Sequence, residues 1–393
     1  MRKLFLALTG ARGLAAIVLL GCNVLFARWA GPELFGSVTA LVSAATFMFV
    51  AFDFGMSTYI IRLAARQDYA TLNAALRLNY YTSVLGAAIT GLAFLVLSRI
   101  MGFPMVLACL GVALAFEKSS DALVGVFIAR GNTGVITEVT LVRRFCMILV
   151  FPILHYLGVG VVVAYTVGML LSSAVGWLQV RIALAKAGLP STPRIGIFAL
   201  LKAGLPFFWA SITASARNLD TLLVSVAGGS HMAGLWSAAQ KLTTPFMLIP
   251  GALSSAILPH ASRAEKAQVR SIAMRLAVLH LGIAFILALI SVFSAQIVKV
   301  VFGSAFLGSS SALGWTLVAF PFIALSSALG GILQGHDQER FVAKNGVVFA
   351  LLYIAGITVS ASFDSLALVA VVGMLVYVLK CATLLGRVRQ TTR

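Results

Sequence analysis

Charge is what this chain has least of. Only 10% of its 393 residues are Asp, Glu, Lys or Arg, where a soluble domain carries about 25%. Acidic residues are the scarcer kind, 11 against 29 basic, for a formal net charge of +18. The four cysteines, Cys22, Cys109, Cys146 and Cys381, are far apart and each lies in an apolar run. That pattern offers neither a disulfide framework nor metal-ligand spacing. The five histidines never cluster, so no metal site is expected. There is no DDxxD-like carboxylate cluster and no loop longer than about 20 residues. A built-out catalytic face is therefore missing, and the chain reads as neither an enzyme nor a cofactor binder. A nucleic-acid partner is excluded as well. Such proteins gather basic residues on one solvated face, whereas apolar runs separate them here.

What the chain does have is apolar sequence. Hydrophobic residues make up 61% of it, and the mean hydropathy is +1.03. Polar groups are too few to cover such a chain in water, so it is a polytopic membrane protein. A membrane-spanning helix needs about 20 mainly apolar residues. Twelve segments qualify: 8–27, 36–60, 78–98, 105–129, 142–157, 159–183, 204–226, 234–258, 276–298, 312–334, 345–361 and 366–386. The first begins after Arg2 and Lys3 and runs past Arg12 without a small-residue cleavage site, so it is read as a retained span rather than a signal peptide. The runs are continuous rather than alternating, which selects helices over a barrel. The expected fold is therefore an all-α integral membrane protein with about twelve transmembrane helices.

The basic residues set the orientation. Of the 29 Lys and Arg, 23 fall in one set of loops and termini, Arg143 and Arg144 among them. Arg28, Arg99 and Lys299 fall in the opposite set, and Lys118, Arg217 and Lys241 within spans. By the positive-inside rule, both termini are expected in the cytoplasm.

The two halves resemble each other at an offset near 198. Residues 30–48 align with 228–247, Gly36 with Gly234, and Arg77 with Arg275. Six spans per half is an even number, so the halves insert in the same direction. Such repeats are related by an axis along the membrane normal, with a central cleft between the bundles. The expected organisation is an N-terminal six-helix lobe over 1–185, a cytoplasmic linker over 186–203 and a C-terminal six-helix lobe over 204–393. Residues 195–202 are expected to form a short separate helix.

Several segments together carry a family resemblance. Residues 31–66 place Gly31, Phe35 and Gly36 before a long apolar helix, then Asp53, Phe54 and Gly55, then Arg62 and Arg66. Residues 200–242 place a Gly-x-Pro at span seven, a mid-span Asp220, and Gly234 leading to Lys241 and Leu242. The segments 257–264 and 301–306 follow in the same order. This arrangement resembles the Wzx-type polysaccharide and O-antigen flippases of the MOP exporter superfamily, whose plan is the two-lobed, MATE-like pseudo-two-fold. The resemblance implies export of a polyprenyl-pyrophosphate-linked oligosaccharide by alternating access, from the cytoplasmic to the periplasmic leaflet of a bacterial inner membrane. It also implies membrane lipid, H⁺ or Na⁺, and polysaccharide polymerase and chain-length proteins as partners. A MATE-like cation-coupled antiporter of drugs or organic cations shares the plan and remains the alternative.

Charges at mid-membrane are costly and mark function by default. Arg12, Lys118, Arg217, Asp220 and Lys241 are the candidates for lining a substrate cleft, with arginine suited to bidentate contact with pyrophosphate. Asp53, Glu117 and Asp121 are the candidates for ion coupling. Arg217 and Asp220 lie three apart, on one face of a helix, and Lys118 is in reach of Asp121 by the same spacing. Local neutralisation within these pairs is the competing reading. Arg143 and Arg144 are expected as anchors at the mouth of span five. Pro206, Pro245, Pro250 and Pro321 fall within spans and are candidate kinks. The orientation is testable: cysteines at Gly229 and Ala267 should label from opposite sides of the membrane. Labelling of both from the periplasm would overturn the two-lobe plan.

Overall fold

The computed structural model describes residues 2–102, 104–188, 196–247, 266–334, 336 and 338–391. Thirteen α-helices follow one another: α1 (Arg2–Asp53), α2 (Met56–Ala65), α3 (Tyr69–Met101), α4 (Cys109–Ala129), α5 (Thr133–Tyr156), α6 (Val161–Lys186), α7 (Ile197–Ser215), α8 (Asp220–Thr243), α9 (Lys266–Ser291), α10 (Ser294–Val301), α11 (Ser310–Gln334), α12 (Glu339–Ala361) and α13 (Leu366–Thr391). Each of the twelve expected apolar segments falls on this series, the eighth only as far as residue 247. Seven helical stretches are long and apolar enough on their own to cross a membrane, and the bent pair α7–α8 makes an eighth. Neither α4 nor α5 is among them. Their apolar runs are interrupted by Glu117, Lys118 and Asp121, and by Glu138, Arg143 and Arg144.

Two details depart from expectation, and a third lies outside the described residues. No separate helix covers 195–202, because α7 starts at Ile197 and runs through Pro206 without a break. Pro245 lies in a 3-10 turn, Thr244–Met247, that follows α8. Pro250 lies outside the described residues, as do segment 257–264 and the linker prolines Pro190 and Pro193.

The chain divides into two compact units, one of residues up to Ala30 and Leu41–Asn218, the other of Gly31–Ala40 and Leu219–Arg393. In the first unit α4 is the central helix, packed against α2, α3 and α6, while α5 packs on α6. Its core joins Met56, Ile60 and Leu63 to Leu72, Ala122, Val126 and Leu200. In the second unit α11 takes the same place, packed against α9 and α13, while α12 packs on α13. The two central helices therefore carry matching neighbour sets, as a duplicated fold requires.

Backbone landmarks repeat along with the helices. Gly31 breaks α1 at φ 73°, ψ 169°, and Gly229 breaks α8 at φ 83°, ψ 170°. These glycines are 198 residues apart, the offset of the sequence repeat. Positive φ demands a residue without a Cβ penalty, so the turn ahead of each second span is built the same way twice. The strained φ makes Gly229 a poor site for a cysteine, and the exposed His231 is the better labelling position.

Within the second unit the two repeats touch. A Cβ on Gly36 would strike the Ser230 carbonyl and the backbone of Gly234, and a Cβ on Gly234 would strike the Pro32 carbonyl. Pro32 and Ser230 are also 198 apart, so each side of the contact mirrors the other. Small residues let helix backbones approach this closely in lipid, where packing rather than hydrophobic exclusion drives association. Gly36→Ala and Gly234→Ala should each lower the melting temperature in detergent by several degrees, since overpacking costs about 1–3 kcal/mol. Gly282→Ala, at a position with open space around it, should not. Equal melting temperatures for all three variants would remove the crossing as a structural determinant.

Candidate functional site

The charges of the first unit converge on α4. Glu117, Lys118 and Asp121 stand on this helix, and α5 brings Arg143 and Arg144 against them. Arg143 Nη1 donates to Asp121 Oδ1 at 3.1 Å and Nη2 lies 3.4 Å from Glu117 Oε1. Arg144 Nη2 donates to the same Glu117 oxygen at 3.2 Å. Arg143 is only 7% exposed, and its aliphatic stem lies against Gly176 of α6, where a Cβ would meet the Arg143 Cδ at 3.2 Å. A larger residue at 176 would push the guanidinium off its carboxylates. Beside the cluster, Trp177 Nε1 donates to Ser119 Oγ at 3.2 Å.

This corrects two expectations. Arg143 and Arg144, expected as anchors, are members of an ion cluster in which Arg143 is buried and Asp121 is exposed. Asp121 takes Arg143 of the neighbouring helix as its partner instead of Lys118 of its own. The physical reason is reach: a guanidinium arriving from α5 meets both carboxylates at once, which a lysine on the same helix cannot do. Lys118 remains within Coulombic reach of both Asp53 and Glu117. Consecutive spans bearing opposite charges, two acids on α4 and two arginines on α5, are the signal in the sequence that points to this pairing.

Asp53 has a different environment. It ends α1, and the chain turns through Phe54 (φ 50°) and Gly55 (φ 71°) into α2. A Cβ on Gly55 would collide with the backbone of Phe207 and Phe208 of α7, so only glycine fits. Asp53 Oδ2 accepts from Ser57 N at 3.0 Å, and Oδ1 accepts from Ser57 Oγ at 2.9 Å and Asn79 Nδ2 at 2.8 Å. All three donors are neutral.

The remaining candidates lie elsewhere. Arg217 sits half-buried in a 3-10 turn, Ala216–Leu219, and closes the first unit. Asp220 begins α8 in the second unit and is 6% exposed. Its carboxylate accepts from Thr221 N at 2.6 Å, Thr221 Oγ1 at 3.2 Å and Tyr353 Oη at 3.4 Å. A 3-10 turn, Ala216–Leu219, thus separates α7 from α8 at this point of the chain. Lys241 is half-buried in the last turn of α8. Arg12 lies on α1, and its side chain is outside the described residues.

A family model described as "Polysaccharide biosynthesis protein" matches residues 25–311. The chain belongs to that family. Solved structures agree on the fold. A MATE transporter of Vibrio cholerae matches with a TM-score of 0.70 at 12% identity, covering 99% of this chain and 96% of that one. The lipid II flippase MurJ, in an inward closed conformation, matches at 0.70 and 15%, covering 97% and 87%. A MOP superfamily transporter of Pyrococcus furiosus matches at 0.65 and 16%, covering 100% and 96%. A search of curated proteins gives no match. The protein is thus a multi-pass, all-α membrane protein of the polysaccharide biosynthesis family with the MOP superfamily fold.

The ion cluster of this family member makes a direct prediction. Removing one partner of a buried pair typically costs about 3–5 kcal/mol, because the other charge is stranded. Arg143→Gln should therefore lower folded yield and detergent melting temperature sharply. Arg144→Gln should do less, since Glu117 keeps Arg143. Adding Asp121→Asn to Arg143→Gln should restore part of the loss, since Glu117 then keeps Arg144 as its partner. An Arg143→Gln variant as stable as the parent would show that the cluster contributes nothing to the fold.

Proposed function

We propose that this protein is a flippase that moves a polyprenyl-pyrophosphate-linked oligosaccharide, an O-antigen or exopolysaccharide repeat unit, across a bacterial inner membrane. Both termini lie in the cytoplasm, and transport runs to the periplasmic leaflet by alternating access between the N-terminal (1–185) and C-terminal (204–393) lobes. The observation that carries this reading is the family match over 25–311 on a fold shared with MurJ. Arg12, Lys118, Arg217 and Lys241 are assigned to pyrophosphate, Asp220 to sugar hydroxyls, and Asp53 to coupling with H⁺ or Na⁺.

One observation favours a second reading, the cation-coupled antiporter. Asp53 is a carboxylate whose hydrogen bonds come from neutral donors, with Lys118 at Coulombic range as a charge that a monovalent cation would replace, and MATE transporters share the fold.

Deleting the gene separates the two. Build-up of lipid-linked glycan on the cytoplasmic leaflet is the flippase outcome, whereas normal glycan with sensitivity to cationic drugs is the antiporter outcome. In the deletion strain Arg217→Ala should fail to restore export. Arg217→Lys should restore part of it, because an ammonium keeps the charge without the bidentate fork. If Arg217→Ala together with Asp220→Ala restores export, the two are a structural pair and Arg217 leaves the site.

A further inference from the structure

α3 and α6 flank α4 on either side, and a groove of about 320 Å³ opens between them at the end where the basic residues collect. Arg77 of α3 and Arg181 of α6 face it from opposite walls, with Ser119 and Leu123 of α4 at its floor. Arg181 is pinned between two rings, its guanidinium carbon 5.1 Å from the Trp177 centroid and 5.9 Å from that of Tyr80. Neither arginine meets a carboxylate among the described residues. Arg387, also near the basic end of its helix, is engaged instead: Nε and Nη2 donate to Gln338 Oε1 at 3.0 and 2.7 Å, and its guanidinium lies over Phe341.

The walls of the groove continue as apolar surface. On α3, Val84, Leu85, Ile89, Leu92 and Val96 are 39–63% exposed. On α6, Leu171, Val175, Leu178 and Ile182 are 41–54% exposed. Both stripes follow three- and four-residue steps, so each is one face of its helix. They run from the arginines toward the opposite end of the bundle. Exposed aliphatic faces on spanning helices lie against acyl chains. Two arginines at the head of two such faces match one kind of ligand, an anionic lipid with its phosphate between the guanidiniums and its chains along the stripes.

We propose that the α3–α4–α6 groove binds an anionic glycerophospholipid of the inner leaflet through Arg77 and Arg181. Arginine donates two parallel hydrogen bonds to a phosphate, and basic pockets between helices on the cytoplasmic side hold anionic headgroups. The ring contacts fix Arg181 before the lipid arrives, so little side-chain freedom is lost on binding. Tyr80 and Tyr81, 42% and 64% exposed, sit at headgroup level, where aromatic side chains with a polar tip are favoured. The groove has room for one compact headgroup and is separate from the residues assigned to the glycan substrate.

The test is lipid binding by the delipidated full chain, read by native mass spectrometry and by thermal shift during lipid titration. Phosphatidylglycerol should bind at least about tenfold more tightly than phosphatidylcholine, on the scale of a charge-assisted phosphate contact. Arg77→Gln and Arg181→Gln should each reduce that preference, and the double variant should erase it. Arg387→Gln should keep it, which separates this groove from the general attraction of a basic surface. Inorganic phosphate at 10 mM should not displace the lipid. The proposal is overturned if phosphatidylcholine binds equally well or if the double variant keeps its preference. It is also overturned if free phosphate displaces the lipid, which would make this a site for a soluble anion. Arg77 is exposed and makes no ion pair among the described residues, so Arg77→Gln keeps the test decisive even if Arg181→Gln fails to fold. The readout is binding rather than transport, so its failure leaves the flippase reading standing.

Discussion

A guanidinium cannot stand alone in hydrocarbon, and the arrangement of the first unit follows from where Arg143 finds its counter-charges. Two carboxylates one helical turn apart on α4 present a pair of acceptors to one side. An arginine arriving from α5 spans both. That arrangement sets the register of α5 against α4, and Gly176 of α6 then lies under the arginine's stem. Three helices are thereby placed by one side chain. The apolar contacts around it, such as Leu123, Ile136, Val139 and Val180, tolerate exchange among similar shapes far better than the ion cluster tolerates loss of one member.

The second organising constraint is steric, and it is written into the backbone. In lipid, helices gain little from apolar side chains that lipid would solvate equally well, so close approach must come from small residues. Gly36 and Gly234 supply it at equivalent points of the two repeats, and their contacts with Ser230 and Pro32 mirror each other. Gly31 and Gly229 break their helices with nearly the same φ and ψ just ahead of the crossing. A duplication preserved in torsion angles and in the helix neighbours of α4 and α11 is stronger than one preserved in residue identity. Side chains drift where many shapes pack, while a positive φ or a backbone contact leaves glycine little competition.

Much of this was legible in the sequence, for reasons that differ by feature. The helical class follows from long apolar runs, which have one physical solution in a bilayer, although seven or eight rather than twelve stretches meet that test among the described residues. The repeat was legible because the glycines that enforce it are local signals at a fixed offset. The ion cluster was not, because pairing across helices depends on which faces meet, and spacing along one helix carries no information about that. Lys118 therefore looked like the partner of Asp121, and Arg143 looked like an anchor.

The carboxylates of the first unit differ in what a change of charge would do to them. Glu117 and Asp121 are bound to arginines, so neutralising either removes an ion-pair partner of Arg143, and neutralising Glu117 also strands Arg144. Asp53 is held by the Ser57 amide, the Ser57 hydroxyl and the Asn79 amide. The hydroxyl can turn to accept rather than donate, so Asp53 can take up a proton without breaking a direct ion pair, while Lys118 feels the change at longer range. Its position gives such a change leverage, because it stands where α1 turns through Phe54 and Gly55 into α2, against α7. Of the three acidic candidates for ion coupling, Asp53 alone combines a neutral shell with a place at a helix junction. Glu117 and Asp121 are instead the counter-charges of Arg143 and Arg144.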